Sequence, residues 1–241
     1  MSPRGKLLAI EGIDGAGKRT QIALLSRLLA RQHVPHVRIS FPRYQSVFGG
    51  MVGRFLNGEF GPLERVDPHF SALLFAGDRL EARPELEKAL RAGKLVIADR
   101  YIASNLAHQT ARVVPARRGK FLAWLRHVEY KVYGLPAEDL VVYLRVPARV
   151  GQQLVSRKAA RDYTRLRKDI QEANLLHLEQ AARVYDRLAR ARNWVTVECF
   201  DSKRGRLRTE EEIHNALVRA LRKRAPGIFR PRAHWKARKK R

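Results

Sequence analysis

Cysteine and long apolar runs are scarce in this chain, and each scarcity excludes a class of protein. The one cysteine, Cys199, cannot form an internal disulfide or a cysteine-rich zinc site. No apolar run approaches the ~18 residues of a membrane span. The run that begins at Leu7 stops at Glu11, which is too short for the core of a signal peptide. We therefore expect a soluble protein, with no membrane partner, in a reducing compartment such as the cytoplasm.

Acidic side chains are also few, because 23 Asp and Glu stand against 49 Lys and Arg in 241 residues, a formal net charge of +26. Such an excess favours anionic partners, either phosphates or nucleic acid. A hydrophobic fraction of 45% is ordinary for a folded chain, so wholesale disorder is excluded. The length allows one large α/β domain or two smaller domains.

Short apolar segments alternate with longer segments of helical periodicity, without an internal repeat. We predict strands over 6–11, 36–41, 94–99, 140–146 and 194–199. We predict helices over 18–32, 68–91 (with a break allowed at Pro84), 118–133, 169–192 and 210–223. This order predicts an α/β fold with a five-stranded parallel sheet and helices on both faces, whose ligands bind beyond the carboxyl ends of the strands.

A glycine-rich segment follows the first predicted strand and opens the first predicted helix. It reads Gly12-Ile13-Asp14-Gly15-Ala16-Gly17-Lys18. Glycines allow the tight turn that aims backbone N–H groups at phosphates, and the lysine reaches the β and γ phosphates. We therefore predict an ATP site made of Gly12, Ile13, Asp14, Gly15, Ala16, Gly17, Lys18, Arg19 and Thr20, in which Lys18 is catalytic.

One position departs from this phosphate-loop pattern. Arg19 stands where the pattern has a Ser or Thr that ligates Mg²⁺, and Thr20 follows it. Arginine cannot ligate a cation. Either carboxylates and phosphates alone hold Mg²⁺, or Arg19 supplies charge that a hydroxyl-bound metal would supply.

Together with four later segments, this loop resembles the thymidylate kinases. The later segments are Phe41-Pro42-Arg43-Tyr44, Leu74-Phe75-Ala76-Gly77-Asp78-Arg79, Asp99-Arg100-Tyr101 with Ser104-Asn105, and Asp169-Ile170-Gln171-Glu172. The resemblance covers roughly residues 5–220, and Arg19 with Ser104-Asn105 is similar to actinobacterial members. It implies a P-loop NTPase fold, transfer of the ATP γ-phosphoryl group to dTMP with Mg²⁺, and a homodimer. Helix 118–133 is our candidate for the dimer contact.

The resemblance also implies roles for individual residues. The implied dTMP site comprises Asp14, Phe41, Tyr44, Phe75, Arg79, Arg100, Ser104, Asn105, His108 and Gln109. In it, Phe75 stacks on thymine, while Arg79 and Asn105 bind the edge of the base. Arg100 is catalytic and binds the acceptor phosphate, as suits a planar and permanently charged group. Judged by residue type alone, each has a structural alternative, such as a core aromatic, a surface arginine or a turn residue.

A basic run over 157–168 resembles the lid of bacterial thymidylate kinases. Gly15 stands where other members carry a P-loop arginine, so the resemblance makes the lid arginines Arg157 and Arg161 catalytic. An inserted arginine neutralises charge during phosphoryl transfer. It also implies that Asp99 and Glu172 hold the metal. The alternative for this run is a solvated basic helix.

Two departures from the family pattern concern the sugar. His108 and Gln171 stand where similar members have tyrosines, one of which crowds the sugar 2′ position. Preference for deoxyribose over ribose is therefore left open, as are dUMP or a deoxynucleoside as acceptors.

A basic segment ends the chain, since the residues after Glu212 include eleven Lys and Arg and no acid. We predict a kinase domain over 1–224 and a flexible basic tail over 225–241. The rival function is a nucleic-acid-associated P-loop ATPase that uses this tail. We prefer the kinase because an ATPase has no use for a mononucleotide pocket and the tail carries no nucleic-acid-binding motif.

Overall fold

A computed structural model of the chain describes residues 4–156, 171 and 174–229. Its strands are β1 Leu7–Glu11, β2 His36–Ser40, β3 Leu95–Asp99, β4 Leu140–Arg145, β5 Trp194–Glu198, β6 Phe200–Asp201 and β7 Arg206–Leu207. Its helices are α1 Lys18–Arg31, α2 Val47–Leu56, α3 Pro68–Arg91, α4 Ile102–Ala111, α5 Arg118–Arg126, α6 Ala148–Ser156, α7 Leu175–Leu188 and α8 Glu210–Arg224. A π-helical segment, His127–Val132, continues α5.

The first five strands form one parallel sheet in the order β2-β3-β1-β4-β5, and β6 and β7 form a small antiparallel hairpin. All five residues of β1 are buried, as expected for the central strand of a sheet covered on both sides. Helices α1 and α8 pack together on one face, and α3, α4 and α7 form the other layer. The predicted fold class is confirmed.

The register of the sheet brings the two predicted phosphate-binding turns together. Ile10 of β1 is paired with Asp99 of β3, so both strands end at the same level. The glycine-rich loop leaves one strand and the Asp99-Arg100-Tyr101 segment leaves the other. The sheet thus gathers both segments at its carboxyl edge, where α/β folds bind their ligands.

Several predicted helix limits differ from the structure. Helix α3 runs without a break through Pro84, which is exposed, as is Leu80, whose carbonyl the proline leaves without an N–H donor. Water can therefore satisfy that carbonyl. The predicted helix 118–133 changes to π-helical geometry at His127. Within the described residues, the predicted helix 169–192 is present only as α7, which starts after its N-cap Asn174.

Three helices near the site, α2, α4 and α6, are absent from the prediction. All ten residues of α4 are buried, so its sequence shows no polar face. Helix α2 contains three glycines, which lower helix propensity. Helix α6 leads into the basic run 157–168, which lies outside the described residues, as do residues 230–241.

The predicted start of the tail at 225 needs correction. Ala225 and Ile228 are buried in the main core, and a 3₁₀ turn covers Pro226–Phe229. Residues 225–229 therefore pack on the domain. Within the described part of the chain, no helix is both long enough and apolar enough to cross a membrane.

Candidate active site

The glycine-rich loop wraps the N-terminus of α1. Gly17 is the N-cap residue and has φ +84°, a left-handed conformation that favours glycine. Its N-cap role leaves the first N–H groups of α1 free for an anion, and the helix dipole adds positive potential there. The predicted phosphate cradle therefore has the required strand–turn–helix geometry.

Lys18 is folded back onto this loop. Its Nζ donates hydrogen bonds to the carbonyl oxygens of Gly12 and Ile13, both at 2.9 Å, and the side chain is buried. Burial, followed by the charge of Arg100, lowers the pKa of Lys18 to about 8. Burial removes water from the charged Nζ, and a phosphate in contact with Nζ would compensate for this loss with a favourable charge interaction.

Gly15 closes the loop against helix α6. It has φ +82°, and a Cβ added to it would lie 2.1 Å from the carbonyl oxygen of Gly151. A side chain at this position is therefore excluded in this conformation. An arginine carried by the loop itself would have no room here, which agrees with the absence of one at Gly15.

Arg100 occupies the space between the loop and helix α4. It has φ +65°, and its guanidinium donates to Asp14 Oδ1 at 2.6 Å and to Ser104 Oγ at 3.0 Å. Burial lowers the pKa of Arg100, but the Asp14 carboxylate and other acids more than offset this, so the pKa lies well above its ordinary value. The group is a permanent cation beside the phosphate cradle.

Glu11 has a role that the sequence prediction lacks. Its fully buried carboxylate accepts hydrogen bonds from the backbone N–H of Tyr101 and of Ser104, and from the hydroxyls of Ser104 and Tyr185. The N-cap residue Tyr101 has no acceptor of its own for the start of α4. Burial raises the pKa of Glu11, and these donors oppose that rise. Glu11 thus caps α4 and fixes the backbone next to Arg100.

A pocket opens between the loop, helix α3 and helix α4. It is lined by Asp14, Phe41, Pro42, Tyr44, Leu56, Phe75, Arg79, Arg100, Ser104, Asn105, His108, Gln109 and Gln171. This lining includes all ten residues predicted for the dTMP site. Four of the ten lie on α4, where a spacing of four residues places them on one face.

One end of the pocket is a buried polar cluster with an aromatic wall. Arg79 is only 2% exposed, and its Nε and Nη2 donate to the two carboxylate oxygens of Glu129 at 2.8 and 2.5 Å. Asn105 donates to the same carboxylate at 2.8 Å. Phe75 makes an edge-to-face contact with Phe55, their ring centroids 6.1 Å apart. Arg79 is therefore not a surface arginine.

Two further α4 side chains present polar atoms without partners among the described residues. The Nδ1 of His108 lies 3.2 Å from the Nε2 of His177, whereas the Nε2 of His108 has no partner among the described residues. Gln109 accepts from Ser71 through Oε1, while its Nε2 has no partner. Buried polar atoms are normally hydrogen-bonded, and because both residues line the pocket, these two atoms are available to a polar ligand there.

A second aromatic wall of the pocket, made of Phe41 and Tyr44, is held in place by Asp78. The carboxylate of Asp78 accepts hydrogen bonds from the backbone N–H of Arg43 at 2.9 Å and from the hydroxyl of Ser46 at 3.0 Å. The Phe41–Pro42 peptide is cis. Asp78 lies in the 74–79 segment that contributes to the family resemblance, but only the structure shows that it anchors this wall.

A Mg²⁺ site can be tested against the donors present. No group of three His, Cys, Asp or Glu able to hold a metal occurs in the described part of the chain. Asp99 ends β3 beside the loop and acts electrostatically on both Lys18 and Arg100. Because Mg²⁺ commonly binds to one or two carboxylates plus substrate phosphates and water, a single carboxylate here fits it.

The remaining predicted residues divide into two groups. Arg19 is exposed on α1 and Thr20 is half-buried, so neither is enclosed by the loop. Arg157, Arg161 and Glu172 lie outside the described residues, and their roles stay predictions.

Three comparisons with known proteins, by family model, by sequence and by structure, all find thymidylate kinases. A sequence model of the family described as thymidylate kinase matches residues 10–211. The thymidylate kinase of Mycobacterium tuberculosis is 38% identical over 189 residues, which cover 78% of this chain and 87% of that protein. A probable thymidylate kinase of Pyrobaculum aerophilum is 31% identical over 176 residues, 73% of this chain and 82% of that protein.

Comparison with solved structures also finds a thymidylate kinase fold. The structure of thymidylate kinase from Candida albicans aligns with a TM-score of 0.73 at 20% identity, over 95% of this chain and 96% of that one. At this identity the alignment shows the fold alone, whereas the sequence matches extend across the loop, the pocket and the Asp99-Arg100-Tyr101 segment. The chain belongs to the thymidylate kinase family.

Proposed function

We propose that this protein transfers the γ-phosphoryl group of ATP to dTMP, which yields ADP and dTDP. One observation carries the proposal. The pocket beside the phosphate cradle is lined by all ten residues that the resemblance implies for dTMP, and it contains the permanent cation Arg100. Membership of the thymidylate kinase family supports the same reaction.

The acceptor binds, in this proposal, with its phosphate at Arg100 and its base against Phe75. Arg100 releases part of its contact with Asp14 to bind phosphate oxygens in a forked geometry. Asp14 then faces the sugar 3′-hydroxyl, and Phe41 and Tyr44 enclose the acceptor. An oxygen of the acceptor phosphate attacks the γ-phosphorus directly, so no protein nucleophile is required.

The donor binds along the loop, where Lys18 moves from the carbonyls of Gly12 and Ile13 to the phosphates. Arg157 and Arg161 of the basic run stabilise the charge that develops during transfer, in the manner of a bacterial-type lid. Bound Mg²⁺ would neutralise phosphate charge, with Asp99 and Glu172 as the carboxylates that hold it. Lid closure excludes the water that would otherwise hydrolyse ATP.

We further propose that the enzyme is a cytoplasmic homodimer. Two apolar surfaces are candidates for the contact. Val132, at the end of the predicted contact 118–133, is 63% exposed, and α3 exposes Phe70, Leu73 and Leu80. Light scattering coupled to gel filtration measures the mass of the particle in solution, and so its oligomeric state, directly.

The cytoplasmic location rests on a separate observation. The single thiol, Cys199, is buried and unpaired, which suits a reducing compartment.

A coupled ADP-release assay tests the function. The chain is given ATP and Mg²⁺ with dTMP, dUMP, UMP, CMP or thymidine, and Arg100→Ala is the matched inactive variant. We expect rapid ADP release with dTMP and a loss of at least about 100-fold in the variant, because Arg100 is the oriented cation that positions the attacking acceptor phosphate, and losing one such contact costs about that much. If no monophosphate changes the rate of ATP hydrolysis but DNA or RNA raises it, the kinase function is wrong and the nucleic-acid-associated ATPase is the better proposal.

A further inference from the structure

Glu129 connects Arg79 and Asn105, the two side chains that the resemblance implies at the edge of the base, although it lies in none of the sequence motifs. It is 0% exposed and belongs to the π-helical segment His127–Val132. Its carboxylate receives Arg79 from α3 and Asn105 from α4. Segments of π-helical geometry occur frequently at functional sites.

The contacts of Asn105 determine which atom of its amide faces the pocket. Both hydrogens of Nδ2 have acceptors, the carbonyl oxygen of Ala72 at 2.9 Å and Glu129 Oε1 at 2.8 Å. The reversed amide would place Oδ1 against those two oxygens, with no donor between them. Asn105 Oδ1 is buried, has no partner among the described residues, and belongs to a residue that lines the pocket. Asn105 therefore offers a ligand an acceptor and not a donor.

The contacts of Arg79 have the opposite consequence. Its Nε and Nη2 bind the two oxygens of Glu129 in a bidentate pair, so one edge of the guanidinium is fully used. Its second terminal nitrogen, Nη1, makes none of these bonds, and Arg79 lines the pocket. The guanidinium has donors only. Arg79 and Asn105 both donate to Glu129 Oε1 and both line the pocket, so a donor of Arg79 and the acceptor of Asn105 serve the same end of the pocket.

We propose that Glu129 is a specificity-determining positioning residue, which fixes Asn105 as an acceptor and Arg79 as a donor and so selects bases of the uracil and thymine class. This inference rests on the proposed function. The edge of such a base has an N3–H donor beside the O4 acceptor, which complements the pair. Cytosine has an N3 acceptor beside an N4 amino donor, so both contacts fail and leave buried polar atoms unpaired.

The test compares dUMP with dCMP, because both lack the 5-methyl group and differ only along this edge. Binding to the full chain is measured by calorimetry without ATP, so that it does not depend on phosphoryl transfer. We expect the wild type to bind dUMP at least about 100-fold more tightly than dCMP, as expected for a site whose buried polar groups lose their partners. In Glu129→Gln the preference should fall below about tenfold, because glutamine can also donate and lets the Asn105 amide reverse.

Two further variants separate positioning from structure. Glu129→Asp keeps an acceptor-only partner, so it should retain the preference while both nucleotides bind more weakly. Glu138→Gln is the matched control. Glu138 is another buried carboxylate nearby and accepts from the hydroxyl of Tyr130 at 2.6 Å, but it does not line the pocket. It should leave the preference unchanged.

Glu129→Gln leaves Arg79 without an ionised partner and can fail to fold, so a second measurement uses the wild type. The side-chain amide protons of Asn105, assigned by their absence in Asn105→Asp, should be protected from exchange before any nucleotide is added. Fast exchange there, with a large shift on adding dUMP, would overturn the inference. So would tight dUMP binding with an unchanged preference in folded Glu129→Gln. If the wild type binds no pyrimidine monophosphate, the proposed function fails, and the inference fails with it.

Discussion

The chemistry of the site depends on two cations, the buried Lys18 and the partly buried Arg100, that differ in how firmly they hold their charge. Lys18 is desolvated and has its pKa lowered to about 8, whereas Arg100 is paired with Asp14 and stays charged at any pH of interest. In the proposed function, the donor phosphates bind at Lys18 and the acceptor phosphate binds at Arg100. The two substrates should therefore respond differently to pH.

Affinity for ATP is predicted to decrease as the pH rises through about 8. Below that pH Lys18 carries its charge, and above it each pH unit removes up to about tenfold of the charged form, which is the form that binds phosphate. Calorimetric titrations at pH 7, 8 and 9, at constant ionic strength, measure this effect. The internal control is dTMP, which in the proposed function binds at Arg100, so its affinity should change by less than about twofold. Parallel losses for both nucleotides would contradict the account.

At this scale the sequence reveals the cations and the pocket lining but not their supports. The strand–loop–helix pattern identifies Lys18, and the resemblance to thymidylate kinases identifies Arg100 through the Asp99-Arg100-Tyr101 segment, because both motifs are local. Glu129 lies 24 positions after Asn105 and 50 after Arg79. No local spacing relates these three residues, so only the fold shows that they meet. The same holds for His177 beside His108.

Among the elements, the P-loop packs at Gly15 directly against Gly151 of α6, the helix that leads into the basic run. We predict that Gly15→Ala destabilises the protein by about 1–3 kcal/mol and weakens ATP binding. Its Cβ would overlap the carbonyl of Gly151, and φ +82° strains any L side chain. Chemical denaturation and ATP titration measure the two effects.

Gly119→Ala provides the matched control. Gly119 lies exposed in helix α5, and nothing lies within 4 Å of a Cβ added there. Alanine at this position should stabilise the protein by about 0.5–1 kcal/mol because glycine lowers helix propensity. Equal effects of the two substitutions would show that the loop contact has no special importance.

The contact between helices α4 and α7 contains a pH-sensitive pair. Burial, followed by the charge of Arg112, lowers the pKa of His177 to about 4, and burial with Arg100 lowers that of His108 still more clearly. Between about pH 6.5 and 4 the unfolded chain binds a proton at His177 that the folded chain does not. The free energy of unfolding should therefore fall as the pH falls through this window, by up to about 1.4 kcal/mol per pH unit for each histidine.

Urea denaturation of His177→Gln at pH 7, 6 and 5 measures the contribution of this pair. The variant should lose about 1 kcal/mol per pH unit of that slope. The exposed His127, substituted in the same way, should keep the wild-type slope. A slope that is identical in all three proteins would contradict a buried neutral histidine pair.

The elements also show why sequence periodicity finds the sheet more easily than the site. Strands β1, β3 and β4 are continuous apolar runs, and α1 buries Ile22, Leu25 and Leu29 at helical spacing. Helix α4 has no such pattern because it is buried on all sides, with its polar residues turned to the pocket and to neighbouring helices. The π-helical segment likewise has no sequence signal that separates it from the helix before it.

For the whole molecule, the large positive charge has two sources, the domain and the end of the chain. Residues 230–241 alone contain seven Lys and Arg and no acid. We predict that deleting them changes kcat and KM for dTMP by less than about twofold, while it lowers affinity for DNA or RNA and flattens its dependence on salt. Steady-state kinetics and titrations at several salt concentrations measure these effects. A deletion that abolishes kinase activity would place the tail within the catalytic machinery.

In the proposed function, the chain transfers the γ-phosphoryl group of ATP to dTMP bound in the pocket that Arg100 lines. Following the label of γ-³²P ATP to its product, with dTMP present and with or without single-stranded DNA, tests this most directly. We predict that the label appears in dTDP, that DNA does not change its rate of formation, and that Arg100→Ala forms no labelled dTDP. Label found as inorganic phosphate, released faster with DNA and unaffected by dTMP, would contradict it.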